Sequence, residues 1–417
     1  MSNTGGGASR PMSIRPGRAE RNQLVSDTAR TLSARGLIHL DAEGSSSDGR
    51  TVRIRGRDLV NFGSCSYLGL EIDPRLKESA CDAIQRYGVQ FSSSRAYVST
   101  PLYAEYEAIL GQIFGAPLVV TQTTSLGHLA TLPVIVGEHD AVLYDVLVHA
   151  SVQAVLPTLR AAGVECVQVP HNHIERLDEL LTQLSQRHQK IWYLCDGIYS
   201  MHGDRAPLEQ LYALQDRHSA LHLYIDDAHG MSWTGERGAG TVLGFGAMRA
   251  RTVVALGLSK AFAAAGAVFV FPDDETRRLV RACGSTLIFS GPLQPGQIGA
   301  GIASARVHLS EELAQRQALL RQRIELFNEL CLDSGLRLRD ASLSPVRFIE
   351  MGVEEQALDR ASDLLAAGFF TNLSVFPAVP RRRAGIRIML TTHHSEEDVQ
   401  DLVRALCSGA HRISHIR

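Results

Sequence analysis

Short, nearly continuous apolar runs recur through the middle of the chain, and each stops at polar residues. Leu221 to Ile225 (LHLYI) ends in two acids and a histidine, and TVVALGL (252–258) ends in Ser259 and Lys260. AVLYD (141–145), VECVQVP (164–170) and a strand at 190–195 repeat the pattern, with helical stretches such as 175–188 between them. Strands that are apolar on both faces predict a buried parallel sheet, and their alternation with helices predicts βαβ units. In open sheets of this kind, ligands sit beyond the carboxyl ends of the strands. Asp226, His229 and Lys260 are therefore expected to face one crevice.

The flanking pattern is different. DGRTVRIRGRDLV alternates as a strand pair would, after one helix, within residues 21–60. Pro74 opens a helix that runs to about Tyr87 and ends at Gly88. From Pro295 the periodicity becomes helical, as one long helix or two, and leads into VRFIEMG, a helix over 354–367, GIRIML and SEEDVQDLVRALCSG. Ser395 and Asp398 make a capping box at the start of that last helix. Residues 1–20, rich in Gly, Ser, Pro and Arg, predict a disordered tail. The expected division is a tail (1–20), an N-terminal arm (21–60), a large α/β domain with a mainly parallel sheet (61–295) and a smaller α+β domain (296–417).

Composition narrows the class. The 417 residues are 45% hydrophobic and 21% charged, with a formal charge of −2, so nothing favours nucleic acid or an anionic membrane. No apolar run is long enough to cross a bilayer, and no signal-peptide core is visible at the N-terminus. Seven scattered cysteines without a CxxC pair fit a reducing cytoplasm, and no metal site is expected.

An acid and a lysine converging at strand ends suit pyridoxal 5'-phosphate (PLP). The cofactor needs a lysine amine and a carboxylate that keeps its pyridine nitrogen protonated. Asp226 fits the carboxylate and Lys260 the amine, while His229 could bond the ring hydroxyl. The same residues also read as ordinary strand-end polar positions with Lys260 solvated, and spacing alone does not choose between the two.

The order of motifs does. IDDAHGMSWTGERGAG (225–240) is similar to the DEAHSxGxxGxxGxG signature of the α-oxoamine synthases, and LSKAF (258–262) to their lysine motif. YLGLEIDPRL (67–76), DVLVHASV (145–152) and DGIYSMHGDRAPL (196–208) match in the expected order, so the resemblance covers about Asn61 to Leu402. It implies PLP fold type I, and a decarboxylating condensation of an amino acid with an acyl thioester, on CoA or a carrier protein, that yields an α-amino ketone. It implies a cytoplasmic homodimer with shared active sites, Lys260 as the base and His149 stacked on the cofactor ring. Thr123, Thr124 and Ser125 occupy the place of the phosphate turn, which relatives write SGxxAN. Ser200, Ser259 and Ser290 are further cofactor contacts. Arg387 is the expected partner of the substrate carboxylate, with Arg381–Arg383 as substitutes, and Ser66 takes the place of an asparagine near the substrate pocket.

Several positions depart from the pattern. Gly257 stands where relatives carry a phosphate-binding threonine, which predicts weak cofactor retention. His202 replaces an aspartate, and Val375 and Phe376 lie where an arginine is usual. Together with Ser66 and Tyr103 they are expected at ligand-facing places and suggest a specialised branch. Arg95 matches a family arginine, but it also fits as a salt-bridge partner. Two alternatives remain: another fold-type-I enzyme (aldolase, β-eliminating enzyme or aminotransferase), and a non-catalytic subunit.

Overall fold

A computed structural model describes residues 17–408, so most of the expected tail and the C-terminal residues from 409 lie outside the described residues. The strands in chain order are β1 (Thr51–Ile54), β2 (Arg57–Asn61), β3 (Leu118–Thr121), β4 (Ala141–Asp145), β5 (Glu165–Val169), β6 (Ile191–Asp196) and β7 (Leu221–Asp226). They continue with β8 (Thr252–Gly257), β9 (Ala267–Val270), β10 (Val346–Gly352), β11 (Phe369–Phe370), β12 (Asn372–Ser374) and β13 (Ala384–Met389).

The apolar runs form one seven-stranded sheet in the order β3-β9-β8-β7-β6-β4-β5. Strands β4 to β8 pair in parallel, and β9 is antiparallel to both neighbours. The chain leaves β4 for β5 on one side and returns to β6 on the other. That reversal opens a crevice at the carboxyl ends of β4 and β6. Register puts Asp196 opposite Asp226 and Asp226 opposite Ala255, so the strand-end acids stand side by side. The helix Thr124–Ile135 lies against β9, where a Cβ on Gly127 would meet the ring of Phe269. Only glycine permits that approach, and it brings the helix N-terminus to the crevice.

The C-terminal part carries a second sheet, β10-β13-β12, and a long-range join that the sequence pattern does not predict. Strand β2 of the N-terminal hairpin pairs in parallel with β11, and Arg50 reaches Asp398 at 2.8 Å. The arm is thus tied into the C-terminal layer. The helical stretch from Pro295 is two helices, Pro295–His308 and Glu312–Asp333. Ser395 and Asp398 form the full capping box, with Asp398 N–H donating to Ser395 Oγ at 3.0 Å and Ser395 N–H to Asp398 Oδ2 at 2.8 Å. No described helix is long and apolar enough to cross a membrane.

Candidate active site

Asp226 closes β7 and is almost fully buried. Its Oδ1 accepts from the Ala228 N–H at 3.1 Å, and its Oδ2 lies 3.1 Å from His128 Nε2. Burial by itself would raise its pKa. The hydrogen bond from His128 and the charge of nearby Lys260 oppose that effect and hold the carboxyl below its ordinary range. Asp196, its neighbour across the register, goes the other way. Burial and the Asp226 charge push it well above the usual carboxylate range, while its Oδ1 accepts the His149 N–H at 3.0 Å. Two adjacent strand ends therefore push their carboxyl groups in opposite directions.

His229 follows on the turn after β7. Burial and the surrounding cations Lys260 and Arg387 drive its pKa well below that of free histidine, so the ring is neutral. Its Nδ1 is 2.8 Å from the hydroxyl of Tyr67, which is fully buried. His149 caps the turn after β4, with Nδ1 2.6 Å from Ser151 Oγ; burial lowers its pKa, and it too is neutral near pH 7. Lys260 lies three residues past β8 and is half-buried. The chain holds only three lysines, and the other two, Lys77 and Lys190, are exposed.

Arg387 projects from β13 and donates from Nε to the Ser200 carbonyl at 2.6 Å. Its two Nη groups make no hydrogen bond or ion pair among the described residues, so a planar fork remains to take a carboxylate. The substitutes fare differently. Arg381 stacks over Phe376, with its guanidinium carbon 5.6 Å from the ring centroid, and Val375 is buried with Leu32, Leu358 and Ala384. The Val375–Phe376 departure is therefore a packing feature, a correction to the expectation that it faces ligand.

Two more departures resolve in the same way. Tyr103 is buried and accepts the Leu293 N–H at 2.7 Å under the guanidinium of Arg95, which also pairs with Glu107 at 3.0 Å. His202 packs edge-on against Phe348, 5.0 Å between centroids. Both serve packing. Counted strictly, the asparagine of NxYLGL falls on Cys65, two residues before Tyr67, and Ser66 is its neighbour. Ser66 nevertheless lines the cleft that opens beside Lys260.

That cleft has a volume of about 580 Å³ and is walled by Ile84, Val89, Ala263 and Ala264, with Ser66, Ser259 and Lys260 at its polar end. Glu71 also faces it, held by His393 Nε2 at 2.9 Å, with its other carboxylate oxygen buried and without a partner among the described residues.

At the expected phosphate turn, Thr123 spends its hydroxyl as the helix cap, accepting from the Leu126 N–H at 3.1 Å. The backbone N–H groups and hydroxyls of Thr124 and Ser125 make no hydrogen bond among the described residues and stand at the helix N-terminus, which suits an anion. Ser290 donates to the Thr286 carbonyl at 2.5 Å, so its hydroxyl is engaged on its own helix turn. Ser200 and Ser259 make no side-chain hydrogen bond among the described residues. At Gly257 a Cβ would come within 3.0 Å of the Ala228 Cβ and 3.7 Å of the Thr124 methyl. The missing threonine is thus matched by a neighbour that fills part of its space.

Sequence reasoning missed His128 and Tyr67. His128 sits in an otherwise apolar helical run, yet it occupies the asparagine position of SGxxAN when Thr123 is counted as the serine. PLP fits what is present. A buried carboxylate held ionised, a lysine three residues past the next strand, and unengaged N–H groups at a helix N-terminus supply the counter-ion, the amine and the phosphate seat that it requires.

Comparison with known proteins agrees. The aminotransferase class I and II family matches residues 57–406. The chain is 33% identical over 380 residues to an 8-amino-7-oxononanoate synthase of Maricaulis maris, covering 90% of this chain and 93% of that protein. It is 29% identical over 377 residues to a serine palmitoyltransferase of Sphingobacterium spiritivorum, covering 90% and 92%. In fold it is similar to a serine palmitoyltransferase from S. paucimobilis solved with PLP and myriocin, at a TM-score of 0.85, 23% identity, and coverage of 96% of this chain and 100% of that one. The chain belongs to the aminotransferase class I and II family, and within it to the PLP-dependent α-oxoamine synthases.

Proposed function

We propose that the protein is a PLP-dependent C-acyltransferase that condenses an amino acid with an acyl thioester, with loss of CO2, to give an α-amino ketone. The observation that supports it most is the meeting of Lys260, ionised Asp226 and the free fork of Arg387 around one crevice. PLP supplies the electron sink that makes the amino acid's Cα–H acidic. Asp226 would supply the counter-charge to the ring nitrogen, and His128 holds Asp226. His149 and neutral His229 would border the ring, His229 as a hydrogen-bonding partner held by Tyr67. Thr124 and Ser125 would seat the phosphate through N–H and hydroxyl groups, and Ser200 and Ser259 offer further hydroxyls.

Arg387 would grip the substrate carboxylate through its two Nη groups and so orient the amino acid at Cα. Lys260 would act as the base, its Nζ removing the Cα proton and returning one to the product. The cleft of about 580 Å³ receives the acyl thioester, its alanine, valine and isoleucine walls suiting an alkyl chain. Exposed apolar side chains, Val89 on the cleft wall at 75% and Tyr97 at 87% of full exposure, support a homodimer that covers them. Seven free cysteines fit a reducing compartment, and we assign the protein to the cytoplasm.

The test is a grid of amino acids and acyl-CoA esters of increasing length, read by free thiol and CO2. The reading expects both in equal amounts for one amino acid, with Arg387→Lys raising KM for it. Transfer of the amino group to an oxo acid without thiol release would make the protein an aminotransferase instead.

A further inference from the structure

The strongest feature outside the assigned roles is a buried polar chain beneath the site. His128 is fully buried; its Nδ1 lies 2.7 Å from the Tyr224 hydroxyl and its Nε2 3.1 Å from Asp226 Oδ2. Tyr224 is also fully buried, in the interior of β7, and His128 is its hydroxyl's sole partner among the described residues. The His128 and Phe269 rings meet in a T-shaped arrangement at a centroid distance of 5.4 Å and an interplanar angle of 79°, which restrains the imidazole plane.

The hydrogen-bond inventory then settles the proton positions. An ionised Asp226 accepts only, so Nε2 must carry a proton. A second proton on Nδ1 would make the Tyr224 oxygen the acceptor and leave its O–H without an acceptor among the described residues, and a buried unmade hydrogen bond is expensive. The consistent arrangement is a neutral ring in which Tyr224 O–H donates to Nδ1 and Nε2–H donates to Asp226.

We propose that His128 is a positioning residue for Asp226, locked by Tyr224 in the neutral Nε2–H tautomer, and that this pair fixes the orientation and ionisation of the carboxylate that faces the cofactor nitrogen. The inference rests on the PLP reading of the site for its consequence, but not for its geometry. It also explains why a histidine works at the asparagine position of SGxxAN. The ring spans from Tyr224 to Asp226, whereas an amide on the shorter side chain reaches only the Nδ1 place.

Reach supplies the test. In His128→Gln the amide nitrogen falls near Nε2 and keeps the bond to Asp226, while in His128→Asn it falls near Nδ1 and loses it. PLP affinity, followed by quenching of tryptophan fluorescence, should fall at least tenfold in His128→Asn and His128→Ala, as expected for a lost hydrogen bond to a charged group. His128→Gln should stay within about threefold of wild type, and Tyr224→Phe should fall between the two sets. Independently, histidine 15N shifts of the cofactor-free protein, assigned by comparison with His128→Gln, should show a neutral Nε2–H ring at pH 7. An Asn variant that binds as well as the Gln variant would overturn the proposal, as would an imidazolium or Nδ1–H signal. The 15N measurement decides the proposal even if the wild type fails to bind PLP, an outcome that would overturn the proposed function instead.

Discussion

Two histidine–carboxylate networks hang from the carboxyl ends of the same sheet, and they do opposite work. At β7, His128 joins one carboxylate to one tyrosine, and the ring can serve both only as a neutral donor and acceptor. At β4, His171 joins two carboxylates, Asp145 at 3.0 Å through Nδ1 and Asp204 at 2.6 Å through Nε2. Both partners there accept, so the ring must donate twice and be an imidazolium. Burial would lower the pKa of His171, but the hydrogen bonds and charges of Asp145 and Asp204 raise it to about 9. The backbone N–H groups of Leu147 and Asn172 also bind Asp145, at 2.7 and 2.8 Å. That network pins the loops after β4, β5 and β6 to one another. The chemical nature of the second partner, phenol or carboxylate, separates a network that orients a reacting group from one that clamps the scaffold.

Breaking the first network should cost activity rather than stability. Asp226→Asn keeps the shape of the carboxylate but removes its charge, and should lower the condensation rate by about 10³-fold, as for loss of a fixed electrostatic partner in a closed site. Its melting temperature should stay within a few degrees of wild type. A clearly lowered melting temperature with retained turnover would reverse the comparison.

The second network should show the converse. His171→Ala leaves Asp145 and Asp204 facing each other without a counter-charge, and should destabilise the protein by about 3 kcal/mol in a denaturant titration. The kcat of the molecules that remain folded should be unchanged.

The two rings should also separate by pH. The folded pKa of His171 stands above its ordinary 6.5, at about 9. Its stabilisation is therefore complete below pH 6.5, is lost as pH rises through 9, and is absent beyond. The rise corresponds to about 2–3 kcal/mol once partial exposure is allowed for. Thermal melts from pH 6 to 10 should show that decline in wild type and a flatter curve in His171→Gln.

The smallest effect concerns the phosphate seat. Gly257→Ser alone crowds Ala228, whose Cβ would be 3.0 Å away, and should lower stability by about 1 kcal/mol. Adding Ala228→Gly makes room for the hydroxyl, and dialysis should then show slower loss of PLP than from wild type.

Much of this architecture is legible in the sequence because the central strands are apolar on both faces and stop abruptly. The runs at 141–145, 190–195, 221–225 and 252–258 match β4, β6, β7 and β8 to within about a residue. Proline and glycine mark the helix Pro74–Tyr87 in the same local way. What escapes is whatever depends on distant pairing. The union of β2 with β11 leaves no local trace, and neither does the ion pair of Arg50 with Asp398. His128 escapes for a related reason, since a histidine in TTSLGHLATL reads as one polar residue on an apolar helix. Its meaning lies in the hydroxyl of Tyr224, 96 positions away. Val375 misleads because a family position is not always a family environment: here it faces the small core under the helix Glu354–Ala366.

The most direct test of the account is to reduce the PLP-loaded protein with borohydride and map the labelled peptide by mass spectrometry. With only Lys77, Lys190 and Lys260 available, the result is unambiguous. The account predicts label on Lys260 alone, in wild type and in His171→Gln alike, and none in Lys260→Ala. Label on Lys77 or Lys190, or a fully loaded Lys260→Ala variant, would contradict it and remove the crevice at the ends of β7 and β8 as the site of reaction.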